Sequence, residues 1–280
     1  MTAAPRPSKH RPHAIRAHAF IEARHAELAA LRDAPSPAEA PALPTRFLRH
    51  CDEHTVVAVR AVLAALAGQS VDRARCGVVA APCQAGRIAT ARSLAQLRVG
   101  GAVMVSPHIV PQCSLHSLAG AISVALGMHG PHVGVGGGPD ALAEGLFTAL
   151  TLLEPGAASA CEAVWLVATE WAAEPLLDST GDPTGDPVCR ALALLLAPAA
   201  AADGAALHVA IHHPIVAETL PADEFQSDLR AFAAALECCA TGAALAGWAI
   251  VCPWGGQIRV SSRAATVPVR TASPRMREAA

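Results

Sequence analysis

The chain has 280 residues, 52% of them hydrophobic and 16% charged. This excludes a disordered chain and allows one large domain or two small ones with a sizeable core. A net charge of -2 excludes nucleic-acid binding driven by global charge.

Aromatic residues make up 3% and tyrosine is absent, so the core must be built from Ala, Leu and Val. The longest apolar run, Ala191 to Ala202, contains Pro198 and falls short of the ~20 residues of a membrane span. The N-terminus has no apolar stretch of the kind a secretory signal needs. The nine cysteines are odd in number and include no C-x-x-C pair. They imply a reducing cytoplasm, no disulfide framework and no structural zinc.

Residues 1–12 are basic and Pro-rich. Residues 14–32 carry Ile15, Phe20, Ile21, Leu28 and Leu31 at helical spacing, and Ala34 to Pro44 reads as a linker. The pattern then predicts a helix at Glu53 to Leu66, a buried strand from Cys76 and a helix at Gly86 to Leu97. A small-residue helix at Ser114 to Leu126 closes at Gly127, and a short β-like piece covers His132 to Gly136. A helix follows from Pro139 to Leu153, with proline in its first turn. Cys161 to Thr169 reads as a strand and Asp178 to Pro187 as a loop. Strands are predicted at Ala191–Leu196, Leu207–Ile211 and Trp248–Cys252, with a helix over Asp223 to Cys238 before the last of them. Alternation of this kind predicts an α/β layered fold. No internal repeat is evident.

The block from Ser106 to Leu153 carries the chemistry. A helix ends at Gly127, a Gly130-Pro131 turn follows, and a short strand feeds a glycine-rich corner at Gly134 to Gly138. Strand-to-helix corners of this type hold nucleophiles beside helix-terminal N–H groups. The glycine run lacks the Lys-Ser/Thr of a phosphate-binding loop and the full dinucleotide fingerprint, so it reads as a tight turn.

This order resembles the N-terminal half of the β-ketoacyl synthases. Ser106, Pro107, Pro111, Gly120, Leu126, Gly127, Gly130 and Pro131 fall in matching places, over roughly residues 46–172. The resemblance implies a thiolase-like layered fold, about one half of the duplicated synthase unit. It divides the chain into a basic extension with one helix and a linker (1–45), a synthase-like domain (46–262) and a tail (263–280).

Counted from Gly130-Pro131, the family's cysteine nucleophile falls on Pro139, which has no attacking group. The family's two catalytic histidine patterns are also absent; His208, His212 and His213 lack the right neighbours. The resemblance therefore implies a short, non-catalytic chain-length factor. Such a subunit pairs with an active synthase and reaches acyl carrier protein through that complex, without cofactor or metal, in fatty-acid, aryl-polyene or polyketide-type biosynthesis. The helix Ser114–Leu126 and the strand with Val133 and Val135 would dock across the dimer. Val110, Leu126 and Met128 would set tunnel length. The alternative is an acyltransferase or thioesterase using Cys83, before a helix N-terminus, or Cys113, with His116 three residues on. A metal at His212-His213 lacks a third ligand nearby in sequence.

Overall fold

The computed structural model describes residues 12–107, 109–154, 161–199, 207–212, 228–241 and 248–262. Eight strands form one sheet in the order β3-β2-β4-β5-β1-β6-β8-β7. They are β1 (His13–Arg24), β2 (Cys76–Pro82), β3 (His132–Gly134), β4 (Ala163–Trp171), β5 (Val188–Pro198), β6 (Leu207–His212), β7 (Trp248–Val251) and β8 (Gln257–Ser262). The helices are α1 (Leu28–Asp33), α2 (Glu53–Leu66), α3 (Arg87–Gly100), α4 (Ile109–Gln112), α5 (Leu115–Leu126), α6 (Ala141–Leu152) and α7 (Leu229–Ala240).

β2 runs parallel to β3 and β4, and the remaining pairs are antiparallel. The central strands are buried on both faces, which explains their continuous apolar runs. One face packs against α2 and α5, with Val78, Trp165 and Val167 pointing there. The other packs against α6 and α7, with Val79, Leu166 and Leu194. Ile211, Ile250 and Ile258 from β6, β7 and β8 join that second cluster, so the sheet curls around α6. The expected α/β layered architecture is present.

Four local features differ from the sequence reading. The helix expected over residues 14–32 is strand β1 over most of its length, followed by the short α1. β1 lies inside the sheet between β5 and β6, not outside it in an extension. Its middle residues are partly buried on both faces, so it lacks a strand's two-residue alternation, and its Ala, Arg and Glu imitate a helix. Pro139 is not in the first turn of α6; the helix starts at Ala141 with Asp140 as N-cap. β8, with Ile258 and Val260 inward between polar neighbours, went unpredicted. The β4 strand is displaced by two residues from its expected span. The expectations for residues 1–11, His213, residues 223–227 and 263–280 fall outside the described residues.

α2 is fixed at its start by Asp52. One carboxylate oxygen accepts from Thr55 N (2.9 Å), the usual N-cap bond, and the other from Gly86 N (3.2 Å). That second bond ties the start of α2 to the start of α3.

Candidate functional site

The corner after β3 sits at the carboxyl ends of β2 and β4. Val135 N donates to Ala80 O (2.8 Å) and Gly137 N to Pro82 O (2.9 Å), so the chain continues alongside β2 past the strand proper. It then reverses through Gly136 and Gly137, at φ +88° and +104°, where glycine avoids the steric cost of a side chain. A Cβ on Gly136 would stand 2.7 Å from Ala141 Cβ, so the turn closes directly onto α6.

Pro139 and Cys83 meet at this corner. Both line a cavity of about 170 Å³, together with Ala81, Leu142, Glu170 and Leu229. Pro139 has no nucleophilic side chain. Burial pushes the Cys83 thiol up, and Glu170 and Glu174 push the same way. The low-pKa thiolate expected from a nearby helix N-terminus is therefore not what this site favours: desolvation and two carboxylates oppose it. Glu170 is held by Arg190 Nη1 (3.3 Å) and by Leu229 N (3.2 Å), and burial raises its carboxyl above the usual range despite these bonds.

Cys113 and His116 do not form a couple among the described residues. Cys113 is half-buried against Gly86, whose added Cβ would lie 2.7 Å from Cys113 Cβ. Burial raises its thiol, and a hydrogen bond with Thr90 only partly offsets this. His116 instead stacks on His132 of β3, ring centroids 5.0 Å apart. Among the described residues no group of three or more His, Cys, Asp and Glu could hold a metal ion, and no helix is long and apolar enough to cross a membrane.

The docking candidates separate into two sets. Val110 is 74% exposed on α4, and Ser114 is exposed at the N-cap of α5, its hydroxyl 3.1 Å from that of Ser117. Val133 and Val135 are half-buried on and after β3. Leu126 and Met128, by contrast, are buried in the core shared by α2 and α5. Val78 N donates to Pro131 O and Val135 N to Ala80 O, so by alternation the backbone groups of His132 and Gly134 point to the outer edge of the sheet, which is open among the described residues. Large apolar side chains are exposed along this stretch of chain: Leu94 and Val99 on α3, Val103 and Met104 just after it, Val110 on α4, and Val124 on α5, which packs on β3.

Sequence reasoning missed one buried polar contact next to the corner. His54, on α2, has Nδ1 2.7 Å from Thr169 Oγ1 of β4, and its ring meets Trp171 edge-on at 5.4 Å. Thr169 O also accepts from Cys83 N (2.7 Å), so this contact abuts the corner from below. The only signal was an isolated Glu53-His54 pair at the head of an otherwise apolar helix.

No family profile and no curated protein matches the sequence. Solved structures do. The ishigamide ketosynthase/chain length factor matches with a TM-score of 0.50 at 18% identity, over 73% of this chain and 68% of that one. A type II polyketide synthase acyl-carrier protein in complex with its ketosynthase bound to the hexaketide matches with a TM-score of 0.51 at 15% identity, over 73% and 69%. A β-ketoacyl synthase from Burkholderia phymatum matches with a TM-score of 0.50 at 17% identity, over 82% and 71%. With its curled, helix-covered sheet, the chain has the thiolase-type fold of the ketosynthases.

Proposed function

We propose that this chain is a non-catalytic ketosynthase-like subunit, a chain-length factor. It pairs with an active β-ketoacyl-ACP synthase in fatty-acid, aryl-polyene or polyketide-type biosynthesis. The observation that carries this reading is that Pro139, the position counted from Gly130-Pro131 as the family's cysteine, lines the corner cavity of about 170 Å³. The open edge of β3 and the apolar surface beside it support the pairing, because an unpaired strand edge flanked by exposed apolar side chains favours a partner. Two of the matched structures contain a ketosynthase together with a chain length factor or an acyl-carrier protein.

In this mechanism the partner supplies the nucleophile and both histidines. This chain completes the dimer through Val110, Ser114, Val133 and Val135 and bounds the far end of the acyl tunnel. Leu126 and Met128 act from behind, by fixing the position of α5. Acyl carrier protein is engaged by the complex, in the cytoplasm, and no cofactor is required.

The test is the native mass of this chain co-expressed with the ketosynthase encoded nearest to it. A stable one-to-one complex supports the proposal. A well-behaved chain that ignores the synthase and turns over acyl thioesters alone overturns it. The second reading, a thiolase-fold acyltransferase or thioesterase, draws on the placement of Cys83 in the corner cavity. It requires that Cys83→Ala or Cys113→Ala abolish acyl transfer.

A further inference from the structure

Between Asp72 and Asp140 the sequence contains no aspartate or glutamate. α3, α4, α5 and β3, which carry the exposed apolar surface, all fall within that stretch. Three of its arginines are neutralised from outside it: Arg75 by Glu162, Arg87 by Glu174 and Arg92 by Asp182. The corner of the face nearest the open sheet edge has no such compensation.

There stand His116 and His132, both exposed, with rings tilted 32° and centroids 5.0 Å apart. Their closeness is built into the backbone. A Cβ on Gly134 would lie 2.3 Å from Leu115 C and O, so the first turn of α5 rests directly on β3. The other charged or titratable groups around them are few. α4 has none and β2 has only the buried Cys76. His129 is exposed in the turn before β3, and α2, packed behind α5, contributes Glu53, His54 and Arg60, all buried. Among the described residues no ion pair reaches either ring, and the one polar approach is His132 Nδ1 to Gly130 O at 3.5 Å.

We infer that His116 and His132 gate the docking of this chain by pH. The inference rests on the partner reading above. Histidine is the side chain whose charge changes between about pH 5 and 8. With both rings neutral, this corner of the face carries no charge from the pair and can be desolvated. With both protonated, two like charges stand side by side on a stretch of chain without an acidic residue, and burying them under a partner is costly. Assembly is favoured when the pair is neutral and lost when it is charged.

The experiment uses the co-expressed complex, with native mass and dissociation constant measured between about pH 8 and about pH 6. Circular dichroism is followed on the same samples. The His116→Gln/His132→Gln double variant, at two exposed positions, runs in parallel. The expected result is roughly tenfold weaker association at the lower pH for the wild type and less than about twofold for the double variant, with both folded. A complex equally tight at both pH values overturns this inference alone, as does equal weakening in both proteins. Tighter association at low pH, from a carboxylate on the partner, also overturns it. Absence of any complex at either pH overturns the partner reading and this inference with it.

Discussion

His54 Nδ1 lies 2.7 Å from Thr169 Oγ1, and this contact joins α2 to the end of β4 beneath the corner. Both residues are buried, so neither group can turn to water instead. Thr169→Val keeps the side-chain shape and removes the hydroxyl. It should cost about 1–3 kcal/mol, the usual penalty for orphaning a buried polar group. A urea melt of the variant beside the wild type measures it.

The same histidine makes stability depend on pH. Burial pushes the His54 imidazole down, with Asp52 opposing, so the folded state keeps it neutral. In the unfolded chain histidine titrates near ~6.5. As pH falls through that value the unfolded state gains a proton the folded state refuses, and stability declines with falling pH. Glu53 and Glu170, whose carboxyls burial raises, act with the opposite sign. Comparing urea midpoints of wild type and His54→Gln at about pH 7.5 and about pH 5.5 isolates the imidazole; the variant should lose less stability on acidification.

Gly134 and Gly138 form a matched pair of tests. A Cβ at Gly134 would collide with Leu115 backbone, whereas one at Gly138 meets nothing within 4 Å. Gly134→Ala should cost about 1–3 kcal/mol through overpacking and should weaken partner docking by pushing α5 off β3. Gly138→Ala should be near neutral in both. Thermal denaturation and pull-down of the partner separate the two.

Arg60 is buried and donates to Leu31 O (2.8 Å), Arg32 O (3.2 Å) and Ala34 O (2.6 Å). It thereby closes α1 and holds the proline-rich segment that follows, which lines an open pocket of about 570 Å³. Arg60→Met removes those donors and should cost about 2–3 kcal/mol. Limited proteolysis should show new cleavage between residues 34 and 47.

Restoring the missing thiol should not restore condensation. Pro139→Cys leaves the α6 hydrogen bonds intact, since the helix begins at Ala141. The new cysteine is expected to react with iodoacetamide. With no histidine patterns to activate the donor or hold the oxyanion, elongation by the chain alone should remain at background. Elongation above background would remove the main support for the non-catalytic reading.

Much of the fold was legible from residue pattern. α2 has an Asp cap and a long apolar face, β2 and β4 are unbroken apolar runs, and α5 ends at Gly127 in the left-handed conformation, so local chemistry marked each one. β1 was not legible, because its strand identity comes from β5 and β6, partners far away in sequence. The curl of the sheet around α6 is likewise a tertiary outcome. At the site, the tight turn before α6 was readable from the run Gly134 to Gly138. The His54–Thr169 contact was not, since no spacing joins residues on a helix and a distant strand.

β1 is synthesised well before the strands it pairs with. His13 waits for Pro198 and Val209, and Arg24 for Val188. Until those arrive, β3, β2, β4 and β5 have no bridge to β6, β8 and β7. Closure of the sheet is therefore a late, long-range event, and such topologies fold slowly. A nascent chain of this kind spends its assembly time with an unmated strand at its head, and that interval is when a chaperone would have most to do.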